Sequence, residues 1–328
     1  MAFIGIDVSK EKLDVLWLRQ SAPQKVKTRV FRNQRPLLKE VAQWLVKQTG
    51  EAPEDIHVVM EATSIYHENL AHALHEARFR VYVANPARVK EFARSEGVLN
   101  KTDKKDSLVL ALYAQEKHTR LTLWQPEAKE IRQLRSLMAR LEALEKDLQR
   151  EQNRHEKALA TDTSERVMAS IEDMIAALEA EIRKLKDDID NHINGHPALK
   201  NDRELLKSIP GVAEVCSVQL LALLRSRAFV SARECAAFIG VVPVQVESGS
   251  SIRRQARISK AGRSSVRQKL YMAAVTACQY NPDIRALKRR MQAKGKAGMA
   301  IVVAAMRKLV HIAFGVLKHQ QGYVPQAA

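Results

Sequence analysis

The chain has 328 residues, 46% of them hydrophobic, and its 54 Lys+Arg outweigh 37 Asp+Glu to give a net charge of +17. That apolar content supports packed cores and excludes a largely disordered chain, while the longest apolar runs, such as residues 299–306, fall far short of a bilayer span. The charge is uneven: residues 1–120 carry 20 basic and 15 acidic side chains, residues 121–200 carry 13 and 16, and residues 201–328 carry 21 and 6, which points to a polyanion-binding region in the last third.

The first residues run directly into Ala2-Phe3-Ile4-Gly5-Ile6, without the basic segment and long apolar stretch of a secretion signal. Residues 3–8 read as a buried strand, with 13–18 and 27–32 as neighbouring strands joined by turns. Pro36 suits a helix start, and Leu37, Leu38, Val41, Trp44 and Leu45 recur at helical spacing. Residues 56–60 form the next strand, followed by a helix over about 65–78 and a strand over 80–84, which Asn85-Pro86 ends. A further helix precedes Gly97, and residues 103–117 make the last helix of an α/β domain.

The middle third changes character. Leu134, Leu137, Leu141, Leu144 and Leu148 follow a heptad seam, and Val167, Ile171, Met174, Leu178, Ile182, Leu185 and Ile189 repeat the pattern after a polar turn at 160–164. Two long helices in an antiparallel hairpin, a spacer or a dimer arm, are expected to end at Gly195-His196-Pro197. Beyond it, Ile209-Pro210-Gly211-Val212 has the form of a tight turn between two helices, whose second N-terminus can dock a phosphate; an ordinary helical hairpin fits it equally well. Gly240 ends a short helix, residues 241–251 read as a loop, and helices follow at about 264–279, 282–293 and 299–319. Tyr271 and Tyr280 are expected in the core. Cys216, Cys235 and Cys278 sit in apolar surroundings without CxxC spacing, as core residues of a reducing compartment do.

Four carboxylates in the first third form a candidate metal site. Asp7 ends the first strand, Glu61 follows the strand His57-Val58-Val59-Met60, and Asp103 and Asp106, three apart, share a helix face. An acid at the tip of an apolar strand is costly unless paired or bound to a cation. Carboxylate oxygens around a phosphodiester are the ligands of magnesium in nucleases and polymerases, often as two ions roughly 3.5–4 Å apart. Asp103 and Asp106 alone fit pairing with neighbouring lysines; Asp7 and Glu61 shift the balance to a metal site.

The second constellation is Glu247-Ser248-Gly249-Ser250-Ser251, followed by Arg253, Arg254, Arg257, Lys260 and Arg263. A serine beside glycine can approach a backbone phosphate, and flanking arginines bind its oxygens and stabilise transition-state charge. Such a serine is a weak nucleophile until activated, and Ser-Gly-Ser-Ser alone is usually a flexible turn. A third basic cluster, including Lys294, Lys296, Arg307 and Lys308, has little aromatic interleaving and reads as phosphate tracking. Lys207 and Gly211, at the Pro-Gly turn, complete the candidate nucleic-acid contacts.

These motifs share an order. Gly5-Ile6-Asp7-Val8-Ser9-Lys10, Glu61-Ala62-Thr63, Asn100-Lys101-Thr102-Asp103 with Asp106, and Ile209-Pro210-Gly211-Val212 are followed by Glu247-Ser248-Gly249-Ser250-Ser251, Ser259-Lys260-Ala261-Gly262 and Arg307-Lys308-Leu309. Together they resemble the DEDD transposases of the IS one-ten family of bacterial insertion sequences, related to the pilin-gene invertases, over essentially the whole chain. The resemblance implies a RuvC-like (ribonuclease H-like) domain over 1–124, a coiled-coil hairpin over 125–197 and a mainly helical transposase domain over 198–328. It implies that Asp7, Glu61, Asp103 and Asp106 are magnesium ligands, for two ions, and that Ser248 is the nucleophile that links covalently to DNA. It further implies a guide RNA pairing with donor and target DNA, and a cytoplasmic, nucleoid-associated homo-oligomer, dimer to tetramer, whose subunits share sites. Ser107 departs from the alanine of many relatives. Competing readings are a junction-resolving nuclease using metal-activated water, which needs no Ser248, and a non-catalytic nucleic-acid-binding protein.

Overall fold

The computed structural model describes residues 1–62, 65–98, 102–248 and 252–326, with their side chains except those of residues 104, 245–248 and 252–256. The chain forms two compact units, Met1–Pro126 and Glu127–Ala328.

The first unit is built on a five-stranded mixed sheet. Its strands are β1 (Ala2–Val8), β2 (Lys12–Gln20), β3 (Lys25–Arg32), β4 (Ile56–Glu61) and β5 (Arg80–Ala84), in the order β3-β2-β1-β4-β5. β1 pairs antiparallel with β2, and β2 with β3, whereas β4 runs parallel to both β1 and β5. Because β1 is central and covered on both sides, its alternation is apolar throughout until Asp7. Ile4, Ile6, Val58 and Met60 face α1 (Leu38–Thr49) and α2 (Glu68–Glu76), packing on Val41, Leu45, Leu70 and Leu74. Phe3 and Val59 face the other way, towards α3 (Pro86–Ser95) and α4 (Asp103–Lys117), whose Phe92, Leu110 and Tyr113 close the second layer. Period-two alternation therefore sends Asp7 and Glu61 to the α4 face.

On that face His57 is buried, its Nδ1 3.0 Å from the Tyr82 hydroxyl and its ring against Phe3 and His118. Burial, with smaller contributions from the charges of His118 and Arg80, lowers its pKa to about 4. The imidazole is thus neutral in the fold down to about pH 4, while in the unfolded chain it takes a proton below about 6.5. Unfolding then binds a proton across that window, so acid destabilises the first unit by up to about 3 kcal/mol as pH falls from 6.5 to 4. Urea melts from pH 7 to 4 should show this slope, and His57→Gln should lower stability at pH 7 but flatten the slope.

The second unit is helical. Helices α5 (Lys129–Leu159) and α6 (Glu165–Asn194) form an antiparallel hairpin, with His192 donating to the Glu130 carbonyl at 2.8 Å and His155 bonding Glu172 at 3.3 Å. Leu144, Ile182 and Leu185 are buried between them, while Val167 and Met174 nearer the tip are exposed. Next come α7 (Pro197–Lys207), α8 (Glu214–Arg225) and α9 (Ala232–Ile239), then β6 (Pro243–Ser248) and β7 (Ile252–Ile258). The chain ends with α10 (Ser264–Tyr280), α11 (Pro282–Ala293) and α12 (Gly298–His319). The 22 residues of α12 are long and apolar enough to cross a bilayer, but Ala305, Leu309, Val310 and Ala313 are buried in the unit's core. Buried Asp202 accepts two bonds from Arg225, at 2.5 and 2.8 Å, and one from Gln320, tying α7 to α8 and the end of α12. All three cysteines are buried, which pushes the Cys216 and Cys235 thiols up to about 12.

Two expectations need correction. Residues 243–248 and 252–258 form a two-stranded antiparallel ribbon rather than a loop. Tyr280 is exposed, because the buried stripe of α10 runs through Leu270, Ala273, Ala274 and Ala277 to Asn281 and passes it by; Tyr271 is half-buried against the core.

Candidate active site

The carboxylates converge at the end of the central strand. In the parallel register of β1 and β4 the last pair is Ile6↔Met60, so Asp7 and Glu61 stand one residue beyond it on adjacent strand ends. Asp103 and Asp106 occupy the first turn of α4, which Thr102 caps by accepting from the Lys105 N–H at 3.3 Å. Negative charge in a first helical turn is favoured by the helix dipole.

Gly5 is what lets α4 reach the strand. A Cβ there would lie 1.9 Å from the Ser107 carbonyl oxygen and 2.6 Å from the Ala111 nitrogen, so the helix backbone rests directly on β1. Two residues along the same face comes Asp7, under the first turn of α4. As a result one carboxylate oxygen from each of Asp7, Asp103 and Asp106 lies within 4.8 Å of the other two. Glu61 is on the same face and the same edge of the sheet, outside that triplet. Ser107 is buried, and its hydroxyl donates to the Asp14 carbonyl at 2.8 Å and the Asp103 carbonyl at 2.9 Å. Ser107 thus pins the helix start to β2.

Sequence reasoning passed over two neighbours. Asp14 is directly opposite Asp7 in the β1–β2 ladder. Lys12 reaches both Asp103 Oδ2, at 2.5 Å, and Asp14 Oδ2, at 3.2 Å. These bonds, Asp103 first, raise the lysine pKa. The only signal for either was the short β1–β2 connection, which sets an antiparallel register between Asp7 and Asp14.

The triplet offers hard oxygen donors only, without thiol or imidazole. Such a set fits magnesium, manganese or calcium and not the nitrogen- and sulfur-rich sites of structural zinc. Asp7, Asp103 and Asp106 can hold a divalent cation, with Glu61 beside them.

In the second unit the ribbon places Ser248 last in β6, opposite Ile252. The side chains of Ser248, Arg253 and Arg254, and the motif residues Thr63, Asn100, Lys101, Gly249, Ser250 and Ser251, lie outside the described residues. A Cβ on Gly262 would lie 2.4 Å from the Phe238 carbonyl oxygen, so the turn through Lys260 stands on the end of α9. The Lys260 N–H donates to Gly240, the Ser259 N–H to Val242, and Arg267 to the Ile239 carbonyl.

Arg257, Lys260, Arg263, Lys294 and Lys296 are exposed, and Arg307 and Lys308 half-buried. Lys207 is different: Glu214 at 3.0 Å and Glu204 at 3.4 Å balance its charge and raise its pKa. Gly211 packs against Ala273 and Ala277 of α10, which accounts for it structurally.

Residues 4–161 match the DEDD transposase domain of IS110 elements, described as "Transposase", and residues 203–289 match "Transposase IS116/IS110/IS902 family". A pilin gene-inverting protein of Moraxella bovis is 30% identical over 324 residues, covering 98% of this chain and 97% of its own. The chain belongs to the IS110 transposase family. The pilin gene-inverting protein of Moraxella lacunata is likewise 30% identical over 324 residues, with the same coverage. Among solved structures, Thermus thermophilus RuvC is similar at 15% identity and a TM-score of 0.29, over 38% of this chain and 100% of its own. The same protein with a Holliday junction substrate gives 15% and 0.28 over the same shares. As an IS110 family member, this chain is a DNA-recombining enzyme, and its acidic triplet accords with divalent-metal use in that family.

Proposed function

We propose that this chain is the RNA-guided, magnesium-dependent recombinase of an insertion sequence, joining DNA strands through a phosphoserine at Ser248. The observation that supports it is the convergence of Asp7, Asp103 and Asp106 on one point at the strand end, with Glu61 on the same face, in an IS110 family member. In this reading the first unit is RuvC-like and the α5–α6 hairpin is a coiled coil in a homo-oligomer, dimer to tetramer. The divisions 1–124, 125–197 and 198–328 are its functional domains.

Asp7, Glu61, Asp103 and Asp106 hold two magnesium ions. Bound there, the ions supply Lewis-acid stabilisation of charge on the phosphoryl oxygens. The Ser248 oxygen forms a bond to phosphorus as a backbone P–O bond breaks, releasing a sugar hydroxyl that a later, reverse attack rejoins to a new strand. Arg253, Arg254, Arg257, Lys260 and Arg263 bind the phosphates around it. Lys294, Lys296, Arg307 and Lys308 follow the backbones of DNA and of a non-coding guide RNA, whose pairing selects the site, whereas Lys207, balanced by Glu204 and Glu214, and Gly211, packed on α10, serve the fold. The protein works in the cytoplasm at the nucleoid.

The test uses the full chain with RNA that co-purifies with it, labelled donor and target DNA, and magnesium. Label should remain on the protein in a denaturing gel, and Ser248→Ala should abolish it. Nicking by Ser248→Ala at the wild-type rate would point instead to a junction nuclease that uses water. DNA binding without cleavage or adduct under every guide would leave a non-catalytic binder.

A further inference from the structure

Beside the acidic triplet the ends of β1, β2 and β3 open into a groove of about 720 Å³, lined by Ser9, Lys10, Lys12, Arg32 and Asn33 among others. Asn33 is fixed there by donating to the Ser9 carbonyl at 2.8 Å and the Tyr66 carbonyl at 3.2 Å. Lys12 and Arg32 are directly paired across the β2–β3 ladder, so both project from the same face. That face also carries Asp14, two residues beyond Lys12, and its partner Asp7. Lys12 therefore belongs both to the groove and, through Asp103 and Asp14, to the acidic site.

We propose that Lys12 is a latch on the carboxylate site. It holds Asp103 while no divalent cation is bound, and turns into the groove to bind the DNA phosphodiester backbone beside Arg32 once a cation takes Asp103. The inference rests on the reading of the carboxylates as a divalent-cation site. The Lys12 side chain is 46% exposed and that of Asp103 54%, so the bond between them can open without disturbing a core. An ammonium and a divalent cation compete for one carboxylate oxygen by plain charge. Released, the same ammonium is a phosphate ligand on a flexible stem. The groove already places Arg32 and Lys10 next to it, and three cations against the single acid Glu11 leave the cleft net positive, which favours a polyanionic strand. Lys12 is thus a positioning residue that couples cation loading to strand docking.

Two titrations of the full chain test this. The first follows free Mn²⁺ by electron paramagnetic resonance. Lys12→Gln should bind Mn²⁺ about fivefold more tightly than wild type, the worth of an exposed ion pair. Lys10→Gln, in the same groove, should change it by less than about twofold. The second follows fluorescence anisotropy of a short labelled duplex DNA, with EDTA or Ca²⁺. Wild type should gain affinity when Ca²⁺ replaces EDTA, and Lys12→Gln should lose most of that gain. Equal Mn²⁺ affinity in wild type and Lys12→Gln overturns the latch, as does equal tightening by Lys10→Gln. If neither wild type nor Lys12→Gln binds Mn²⁺, the divalent-cation reading itself falls, and the latch with it.

Discussion

Asp7→Asn is expected to reduce DNA strand cleavage by roughly three orders of magnitude while leaving the fold and the cation-free affinity for DNA intact. The amide matches the carboxylate in shape, so the end of β1 and its pairing with β2 and β4 need not change. What is lost is charge, at a position where strand and helix contribute carboxylate oxygens within 4.8 Å of each other. A hard divalent cation is held mainly by carboxylate charge, and an amide oxygen replaces it poorly. Cleavage of labelled DNA in magnesium, alongside anisotropy with the same duplex in EDTA, separates the two effects. Parallel losses of cleavage and binding would mean that Asp7 serves the fold or the interface instead of the chemistry.

Gly5→Ala should be nearly as damaging by a different route. The new methyl would sit 1.9 Å from a backbone oxygen of α4, well inside contact distance, and backbone cannot swing aside as a side chain can. Either α4 lifts from β1 or the sheet bends; overpacking of this kind costs about 3 kcal/mol or more. The first unit's melting temperature should fall by about 10 °C. Cleavage should drop further than stability accounts for, because lifting α4 carries Asp103 and Asp106 away from Asp7. Melting curves by circular dichroism and cleavage assays well below the transition distinguish these contributions. A Gly5→Ala protein that melts and cleaves as wild type would show that α4 does not rest on β1 as described.

The sheet and helices of the first unit were legible because their patterns are strong. Residues 103–117 begin after a capping threonine and run to Lys117, and the strand 80–84 is bounded by charge and by Asn85-Pro86. The ribbon was not legible. Its first strand alternates only over Val244-Gln245-Val246-Glu247, its second carries Arg253, Arg254, Gln255 and Arg257 in place of an alternation, and the Gly-Ser run between them is the strongest local signal, so the stretch reads as a loop. Tyr280 failed for a related reason: spacing gives a stripe, and only packing shows that the stripe passes through Asn281. Asp7 and Glu61 could be picked out because an acid at the tip of an apolar strand is costly, and Asp103 and Asp106 because they stand three apart on one helix. Lys12 and Asp14 could not, since what makes them matter is cross-strand register and a helix docked from about ninety residues away, neither of which is written locally. Likewise the heptads of α6 are as regular at Val167 as at Ile182, yet only the latter is buried.

Among the described residues the ribbon whose first strand ends at Ser248 has two strands, and its root is the turn standing on α9. Six residues of strand reach about 20 Å. A lever of that length turns a ten-degree tilt at the pivot into a displacement of about 3 Å at the far end, the difference between bonding distance and none. In the proposed reaction, the reach of Ser248 is therefore set at the turn through Gly240, Gly262 and Arg267, a strand's length away from it.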